Sequence, residues 1–351
     1  MNSNTTSAYK KIRVEDAVGI ELSHDITEIR PDEFKGVAFP KGHKVEEKDI
    51  CRLMKLGKRH LYILDIDNTQ QIHEDQAVLE IVEALAGNGI VYNNQPKEGK
   101  LELLAAHDGL LKINVDALIE FNMIPDVMCA SIHTNTPVKK GFKLAGTRAI
   151  PLIIERTVLD SAIEIANNNF PVFEVRPFKK AKARLIVTGS EVFNGLIQDK
   201  FEPIVRKKMS DLGSELVETL ILPDDRQMIR NAIQSYLSKD TDIIVTTGGM
   251  SVDPDDVTRF AIKDCEVDQL FYSAAVLPGA MFQLAYKGDI PLVGIPACGL
   301  YHEVTVFDLI LPRLLAGDRP DNRDMAKLAH GGLCNDCVSC TYPRCSFGKS
   351  F

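Results

Sequence analysis

The stretch VTTGGMSVDPDDVT, residues 245–258, decides the fold class that the sequence predicts for the carboxyl-terminal half of the chain. An apolar run ends there in two adjacent glycines, and an acidic loop and a helix-like segment follow at once. A buried strand that turns through glycine into a helix is typical of α/β proteins, in which ligands bind at the carboxyl ends of parallel strands. This loop is therefore the first candidate for a binding site.

Strand-like and helix-like runs alternate on both sides of this stretch. The strand-like runs are RLIVT, SELVETLIL, DIIVTT and PLVGI, and the helix-like runs that follow them are DKFEPIVRKKMSDLG, RQMIRNAIQSYLS, VTRFAIKD and VTVFDLILPRLL. This order predicts a mainly parallel sheet with helices on both faces. We therefore expect the loops TGSEVFNG, LPDDR, TTGGMSVDPDDVT and IPACGLYHE to meet at one edge of the sheet.

Length and composition are those of a globular protein with more than one domain. The chain has 351 residues, whereas a typical domain has about 100–200. A formal net charge of −8 and the lack of a long basic run argue against a nucleic-acid partner. The amino terminus has no apolar core of signal-peptide length and no apolar segment is long enough for a membrane span. We expect a soluble cytoplasmic protein with no membrane partner.

The patterning predicts four regions. They are a small β-rich module over residues 1–70, a mixed α/β region over 71–180, an α/β domain over 181–320 and a cysteine-rich tail over 321–351. Helical runs in the first two regions are EEKDICRLMKLG, which closes on Gly57, AVLEIVEALAG, VDALIEFNM and VLDSAIEIANN. An extended segment, TPVKKGFKLAGTRAIPLII, lies among them, and RPFKKAKAR precedes the α/β domain.

The glycines and aspartates of the 245–258 loop allow two interpretations. Gly248 and Gly249 permit positive φ and close approach of a ligand, and backbone amides at a helix start bind anions. The aspartates would then share a Mg²⁺ ion with a bound phosphate. Alternatively the loop is a capped turn, with Asp255 or Asp256 as the helix N-cap. The Asp-Asp pair at 224–225 carries the same two interpretations.

The combination of TTGG and the following Asp256, LPDD around Asp224 and TGSE at 188–191 closely resembles the molybdopterin-binding domain of molybdenum cofactor biosynthesis proteins. That family includes molybdopterin adenylyltransferases and molybdenum insertases. The resemblance covers residues 184–315 and implies a three-layer α/β/α domain with a mainly parallel sheet, preceded here by a mixed α+β region. It implies catalytic roles for Asp224 and Asp256 near the nucleotide (ATP or its AMP moiety), Mg²⁺ and the dithiolene. The cofactor-binding residues it implies are Thr188, Gly189, Ser190, Glu191, Thr247, Gly248, Gly249 and Ser251.

The sequence departs from the family pattern at several positions. Ser190 stands where many members have aspartate, and Ala297 in IPACG stands where they have glycine. The Pro278-Gly279 pair in VLPGAMF resembles a family turn but equally fits a plain turn. The insertases' Asp-Gly-Tyr-Ala-type signature is not found in these 351 residues, and we expect none of them to form the insertases' carboxyl-terminal β-barrel. The closer overall resemblance is to insertase-like molybdopterin-binding proteins with a cysteine-rich tail.

This resemblance implies a transferase of molybdenum cofactor biosynthesis. The leading hypothesis is a molybdopterin molybdenumtransferase-like enzyme that binds molybdopterin or its adenylated form and uses molybdate and Mg²⁺; adenylyltransfer is the lesser possibility. Likeness to the insertases also implies a homodimer. The alternative is a non-catalytic molybdopterin carrier or sensor that acts with a molybdoenzyme.

The tail sequence CNDCVSCTYPRC predicts metal binding. Four thiols this close in sequence can ligate one centre; the opening C-x₂-C-x₂-C spacing favours an iron–sulfur cluster, and a structural zinc ion is the alternative. Gly331 and Gly332 predict a flexible connection into the tail. The thiols concerned are Cys334, Cys337, Cys340 and Cys345.

Other polar residues are weaker candidates. Cys298 and His302 are four apart, but no glycine-framed nucleophile turn surrounds them. His107, Asp108 and Arg148 could face an anionic ligand, although loop turns and a surface arginine explain them more simply.

Overall fold

The computed structural model describes residues 9–30, 33–64, 70–251, 253 and 256–349. The chain divides into two compact units. Unit 1 contains Met1–Leu104, Asn114–Ile132 and Lys143–Phe173, and unit 2 contains Ala105–Ile113, His133–Phe142 and Glu174–Phe351. The chain therefore passes between the units repeatedly before it continues in unit 2 from Glu174.

Short strands and helices alternate along the described residues. The strands are β1 Tyr9–Arg13, β2 Ile26–Arg30, β3 Phe34–Phe39, β4 His60–Leu64, β5 Gln71–His73, β6 Ile90–Tyr92, β7 Lys100–Ala105, β8 Gly109–Ile113, β9 Val127–Ser131, β10 Thr136–Val138, β11 Lys143–Ala149, β12 Ile153–Glu155, β13 Phe173–Arg176, β14 Lys182–Thr188, β15 Glu215–Leu222, β16 Ile243–Thr247, β17 Gln269–Tyr272, β18 Gln283–Lys287 and β19 Ile290–Ile295. The helices are α1 Asp49–Lys55, α2 Glu74–Leu85, α3 Val115–Met123, α4 Arg156–Asn168, α5 Ser190–Phe193, α6 Phe201–Asp211, α7 Arg226–Leu237, α8 Thr258–Lys263, α9 Val306–Leu315 and α10 Asn322–Lys327. None of the helices in this described part of the chain has the length and hydrophobicity needed to cross a bilayer.

Unit 1 begins with an antiparallel β1–β4 pair, a β2–β3 hairpin and α1. Apolar side chains from these elements, including Ile26, Phe39 and Leu53, are buried in a common core. The helix α1 ends at Lys55, and Gly57 follows with a φ of +77°. The helix predicted to close on this glycine is therefore confirmed.

The rest of unit 1 contains a four-stranded sheet in the order β6-β7-β11-β9. Helix α2 packs against both β11 and α4. The three helices predicted from periodicity between residues 74 and 168 are confirmed as α2, α3 and α4. The predicted extended segment after Asn135 is divided into β10, β11 and β12.

Unit 2 contains a six-stranded sheet in the order β15-β14-β16-β19-β18-β17. The strands β15, β14, β16 and β19 are parallel, while β18 and β17 are antiparallel at one edge. The predicted mainly parallel α/β sheet is therefore confirmed. Strand–helix alternation does not predict β17 and β18, because no helix separates β17, β18 and β19 from one another.

Alternate side chains of the central strands face two different helical layers. On β14, Leu185 and Val187 are buried with residues of α6 and α9. Ile186, which lies between them, is buried with residues of α7 and α8. Because side chains alternate along a strand, each face of the sheet has its own helical layer, which is the predicted three-layer α/β/α arrangement.

Asp318, which follows α9, links the strand β8 to the rest of unit 2. Its side chain is 9% exposed and lies 2.6 Å from Lys112 Nζ, 2.8 Å from Arg176 Nη1 and 3.2 Å from Arg313 Nε. Burial alone would raise the pKa of Asp318, but the hydrogen bond from Lys112 and the surrounding cations lower it overall. The carboxylate therefore stabilises three cations from different parts of the sequence.

The cysteine-rich tail packs against the rest of unit 2 through buried contacts. Phe347 is 3% exposed in the core between the sheet and α9. A Cβ at Gly331 would lie 2.7 Å from Lys349 O, and a Cβ at Gly332 would lie 2.4 Å from Leu328 O. Close packing requires both glycines, so the prediction of a flexible connection at these positions is wrong.

Candidate functional site

Hydrogen bonds join three of the loops predicted at the carboxyl edge of the sheet. After β14, the backbone N–H and Oγ of Ser190 donate to Asp224 Oδ2, which follows β15, at 2.8 and 3.0 Å. At the end of β14, Thr188 Oγ1 donates to the carbonyl of Thr247, at the end of β16, at 3.1 Å. The loops after these strands therefore meet as predicted.

Gly248 and Gly249 adopt φ values of +82° and +55°. A Cβ at Gly248 would lie 2.1 Å from Thr188 O, and a Cβ at Gly249 would lie 2.6 Å from Thr258 Oγ1. Real Cβ atoms essentially never make contacts this short. Both glycines are therefore required for the loop to pack against β14 and α8, a reason independent of any ligand.

The aspartates near these loops have different roles. Asp225 caps α7, since its Oδ1 accepts a hydrogen bond at 2.8 Å from the N–H three residues later, which confirms the capping interpretation for this residue. Asp256 Oδ2 accepts from the Asp253 N–H at 3.1 Å. The N-cap of α8 is Val257, so the capping interpretation of Asp256 is wrong. Asp255 lies outside the described residues.

A cavity of about 600 Å³ in unit 2 lies beside this loop, and we call it the glycine-loop cavity. Residues 248–251 and Asp256 form one part of its wall. Asp256 and Asp336 place two carboxyl groups on the wall, and none of its described residues is lysine or arginine. Because α8 has only six residues, its dipole is a weak source of positive potential. An anionic ligand would therefore depend on backbone amides and a bound cation.

Residues 277–281 form a second part of the wall. Gly279 has a φ of +128°, and a Cβ there would lie 2.5 Å from Val306 Cγ1 at the start of α9. The Val306 N–H donates to Pro278 O at 3.3 Å. The Pro278-Gly279 pair in the sequence indicates a turn. The contact of this turn with α9, which makes it part of the cavity wall, cannot be predicted from the sequence.

The loop after β19 contributes Cys298 and His302 to the same cavity. Burial raises the pKa of the Cys298 thiol, which is the opposite of the change that activates a nucleophile. The two residues are joined by a backbone hydrogen bond of 3.1 Å, and among the described contacts none joins the thiol to the imidazole. They line the cavity without forming a nucleophile–base pair.

The tail reaches the glycine-loop cavity at Cys334. The Cys334 N–H donates to Leu277 O at 2.8 Å, and the Leu277 N–H donates to Gly332 O at 2.7 Å. Leu333, Cys334 and Asp336 consequently lie on the cavity wall. The tail therefore completes the cavity, a role that its sequence does not indicate.

The four tail cysteines line a smaller cavity of about 260 Å³ in unit 2. All are free thiols. Within the described residues, no three His, Cys, Asp or Glu side chains form a group that could hold a metal ion. The thiols thus share one cavity, but their present positions do not fit a four-thiolate centre.

Some of the residues implied by the resemblance line the glycine-loop cavity, and the others lie beneath the glycine loop or in adjoining loops. Thr188 and Thr247 are only 5% and 0% exposed and lie under the glycine loop. Ser190 and Asp224 bond to each other in adjoining loops, near Gly189 and Glu191. The implied residues on the wall of the glycine-loop cavity are Gly248, Gly249, Ser251 and Asp256.

Residues 184–316 match a sequence family described as a probable molybdopterin binding domain. This match confirms the predicted resemblance to molybdopterin-binding proteins over almost the same residues. Residues 11–65 match a second family, described as a domain of unknown function.

Curated relatives match a shorter part of the chain. A CinA-like protein of Pseudothermotoga lettingae is 35% identical over 82 residues, which are 23% of this chain and 20% of the relative. A CinA-like protein of Thermosipho melanesiensis is 32% identical over 92 residues, which are 26% of this chain and 23% of the relative. The chain therefore spans only about a fifth of the length of these relatives.

Two solved structures are similar to part of the chain. The tungsten cofactor synthesizing protein MoaB from Pyrococcus furiosus is 20% identical, covers 40% of this chain and 99% of its own, and has a TM-score of 0.33. CinA from Thermoplasma acidophilum is 15% identical, covers 39% of this chain and 98% of its own, and has a TM-score of 0.35.

Proposed function

We propose that this protein binds molybdopterin or adenylated molybdopterin in the glycine-loop cavity and assists Mg²⁺-dependent insertion of molybdenum. One observation carries the proposal: the cavity lies beside the loop that follows β16, and that loop is within the segment that matches the molybdopterin-binding family. A volume of about 600 Å³ is in the ordinary range for small-molecule sites.

Asp256 and Asp336 would hold the Mg²⁺ ion. Mg²⁺ in proteins is commonly bound by one or two carboxylates together with phosphate oxygens and water. Both carboxyl groups are on the cavity wall, where no described lysine or arginine can neutralise a phosphate. Bound there, Mg²⁺ would offset the charge of the phosphate, and the backbone N–H groups of Gly248 and Gly249 would donate hydrogen bonds to its remaining oxygens.

The remaining wall suits a pterin ring. Met250, Leu277, Pro278 and Met281 give it a largely apolar surface. Apolar and thioether groups pack well against flat heterocycles, while the few polar groups determine orientation. The wall would therefore orient the pterin and limit access of water.

A non-catalytic carrier or sensor that acts with a molybdoenzyme is the second candidate. Asp224, which the resemblance implies as catalytic, accepts two hydrogen bonds from Ser190 at Oδ2 and is not on the cavity wall. Ser190 itself stands where many family members have aspartate. These two features favour binding without turnover.

The tail cysteines would hold an iron–sulfur cluster or zinc only after a rearrangement. Within the described residues no three of these thiols form a group that could hold a metal ion, so the thiols would have to come closer together. Iron and zinc analysis of anaerobically purified protein and its Cys337→Ser variant tests this part of the proposal. A cytoplasmic location and a homodimer belong to the same proposal, and analytical ultracentrifugation tests the dimer.

The deciding experiment combines anaerobically purified protein with molybdopterin, MgATP and molybdate. Chromatography follows the pterin species, and elemental analysis follows molybdenum. Loss of adenylated pterin with uptake of molybdenum supports insertion, while formation of adenylated pterin supports adenylyltransfer. Pterin that is retained unchanged supports the carrier, and a protein that retains no pterin overturns both functions.

Asp253→Asn is a matched control for Asp256→Asn in this experiment. Both residues are in the same loop, but only Asp256 is on the cavity wall. If Mg²⁺ is held as proposed, Asp256→Asn lowers Mg²⁺-dependent turnover and Asp253→Asn does not. Equal effects would assign the change to loop structure and not to the metal.

A further inference from the structure

A separate cavity of about 460 Å³ lies wholly within unit 1. The first turn of α2 provides Glu74 and Asp75, and β11 provides Arg148. The other charged residues of the wall are Asp25, Lys41, Lys97 and Glu98. We call it the unit 1 cavity; none of its residues belongs to the segment that matches the molybdopterin-binding family.

Glu74 is a buried carboxylate that faces this cavity without a hydrogen bond. Its side chain is only 9% exposed, and no described residue donates a hydrogen bond to it. The nearest cationic atom, Arg148 Nη2, is 3.9 Å from Oε2. A Cβ at Gly99 would lie 2.8 Å from the same oxygen, so the protein chain closes one side of the carboxylate. Burial, and then the charge of Asp75, raises the pKa of Glu74.

The neighbouring acidic and basic groups already have partners. Asp75 binds Lys41 Nζ at 2.8 Å through Oδ2 and accepts the Gly99 N–H at 3.1 Å through Oδ1. His73 Nδ1 accepts the Asp75 N–H at 3.1 Å, and burial, with the charge of Lys41, lowers the pKa of this imidazole. Glu74 is consequently the acceptor in this group whose hydrogen-bonding capacity is unused.

Arg148 offers donors beside this acceptor. Its Nε donates to Ala149 O at 3.4 Å and its Nη2 donates to Glu98 O at 3.3 Å, while Nη1 makes no hydrogen bond with the described residues. Neither Glu74 oxygen is among the described side-chain atoms that are fully buried without a hydrogen-bond partner, so water or a ligand in the cavity can reach the carboxylate. Glu74 and Arg148 therefore present two carboxylate oxygens that can accept hydrogen bonds next to an N–H group that can donate one.

The remaining wall is suited to a flat ring. Tyr62, Pro96, Ile150 and Leu152 line the cavity with apolar surface. A metal ion is a poor occupant, because Asp75 is already bound to Lys41 and His73 Nδ1 already accepts the Asp75 N–H. A simple anion is also a poor occupant, because it would meet the Glu74 carboxylate.

We propose that the unit 1 cavity binds a heterocycle with a 2-amino-4-oxopyrimidine edge, as found in guanine and in pterins. This edge has two adjacent donors, the ring N–H and the exocyclic amino group, which match the two oxygens of Glu74 in the way that bidentate donors match a carboxylate. The ring carbonyl beside the N–H would accept from Arg148. The proposal concerns a site in unit 1 and does not depend on the function proposed for unit 2.

Calorimetric titration of the full-length protein with guanosine and with inosine tests the proposal. Inosine lacks the 2-amino group but is otherwise alike, so we expect it to bind at least about 10-fold more weakly, because one charge-assisted hydrogen bond is lost. Titration with neopterin distinguishes guanine from pterin as the preferred ligand. Because unit 2 is also proposed to bind a pterin, only the neopterin affinity that the Glu74→Gln variant loses is assigned to the unit 1 cavity. Failure of both guanosine and neopterin to bind, or equal affinity for guanosine and inosine, overturns the proposal.

The Glu74→Gln variant tests whether the Glu74 carboxylate causes the preference for guanosine over inosine. It should bind guanosine at least about 10-fold more weakly and lose the preference over inosine, which a merely structural role would not explain. Glu83→Gln, on an exposed position of the same helix, should bind as wild type. Asp256→Asn should also bind guanosine as wild type, and loss of binding in that variant would place the ligand in unit 2 and refute the assignment.

A melting curve shows whether Glu74→Gln is folded. If it is not, Arg148→Gln replaces it, because the Arg148 side chain is 30% exposed and is less involved in packing. That variant should bind both nucleosides at least about 10-fold more weakly, since both have the ring carbonyl. Unchanged affinity in Arg148→Gln would contradict the proposed orientation.

Discussion

Replacing Gly248 with alanine should destabilise the protein far more than a glycine-to-alanine change usually does. The new Cβ would be 2.1 Å from Thr188 O, at a φ of +82°. The left-handed backbone alone costs alanine about 1 kcal/mol. Relieving the overlap requires the backbone of β14 or of the loop to move by roughly 1 Å, which adds ~1–3 kcal/mol, as other overpacking changes do. We therefore expect the free energy of unfolding to fall by ~2–4 kcal/mol.

Gly195→Ala is the matched control for this change. Gly195 has a φ of +72°, but a Cβ there would have no heavy atom within 4 Å. Only the backbone cost of about 1 kcal/mol applies to it. Urea unfolding of both variants, followed by circular dichroism, measures the difference. Equal losses of stability would refute the reasoning that close approach of β14 is what requires glycine at position 248.

Three other changes test separate parts of the structure. Asp256→Ala should abolish Mg²⁺-dependent turnover of molybdopterin while the protein stays folded, and an unaltered rate measured by chromatography would count against the metal role. Asp225→Ala removes the N-cap of α7 and should lower the free energy of unfolding by about 1 kcal/mol in urea, with pterin retention unchanged; weakened retention would show that Asp225 also serves the site. Asp318→Ala removes the carboxylate of Lys112 and one of the two carboxylates of Arg176, which keeps Glu174 at 2.6 Å, and should cost ~3–5 kcal/mol by the same measurement. A cost below ~1 kcal/mol would mean that water satisfies these cations in its place.

Most elements of unit 2 are predictable from the sequence. The strands β14, β16 and β19 are continuous apolar runs, since both of their faces are buried, and the helices between them have helical periodicity. The segments 109–113 and 136–138 are different, because their place in unit 2 depends on pairing between β8 and β10 and on the ion pair of Lys112 with Asp318. These partners are far apart in sequence, so no local pattern reports them.

For the candidate sites as well, the sequence indicates which residues to consider but not what each of them does. The neighbours Asp224 and Asp225 are identical in type, yet one bonds Ser190 in an adjoining loop and the other caps a helix. Arg148 was a candidate together with His107 and Asp108, but it lies in unit 1 beside Glu74, while the other two belong to unit 2. Side-chain chemistry suggests candidates, but the neighbours in space determine the role of each.

By itself, the sequence determined the strand–helix order, the edge of the sheet where the loops meet and the glycine loop, because these follow from local periodicity and from the positions of turn residues. Only the tertiary structure decided that Gly248 lies too close to Thr188 O for a Cβ, and that residues 277–281 and Cys334 line the glycine-loop cavity. It also decided that Glu74 faces the unit 1 cavity without a hydrogen-bond donor from the described residues. Each of these depends on a distance between segments that are far apart in the chain, and packing of the complete fold sets such distances.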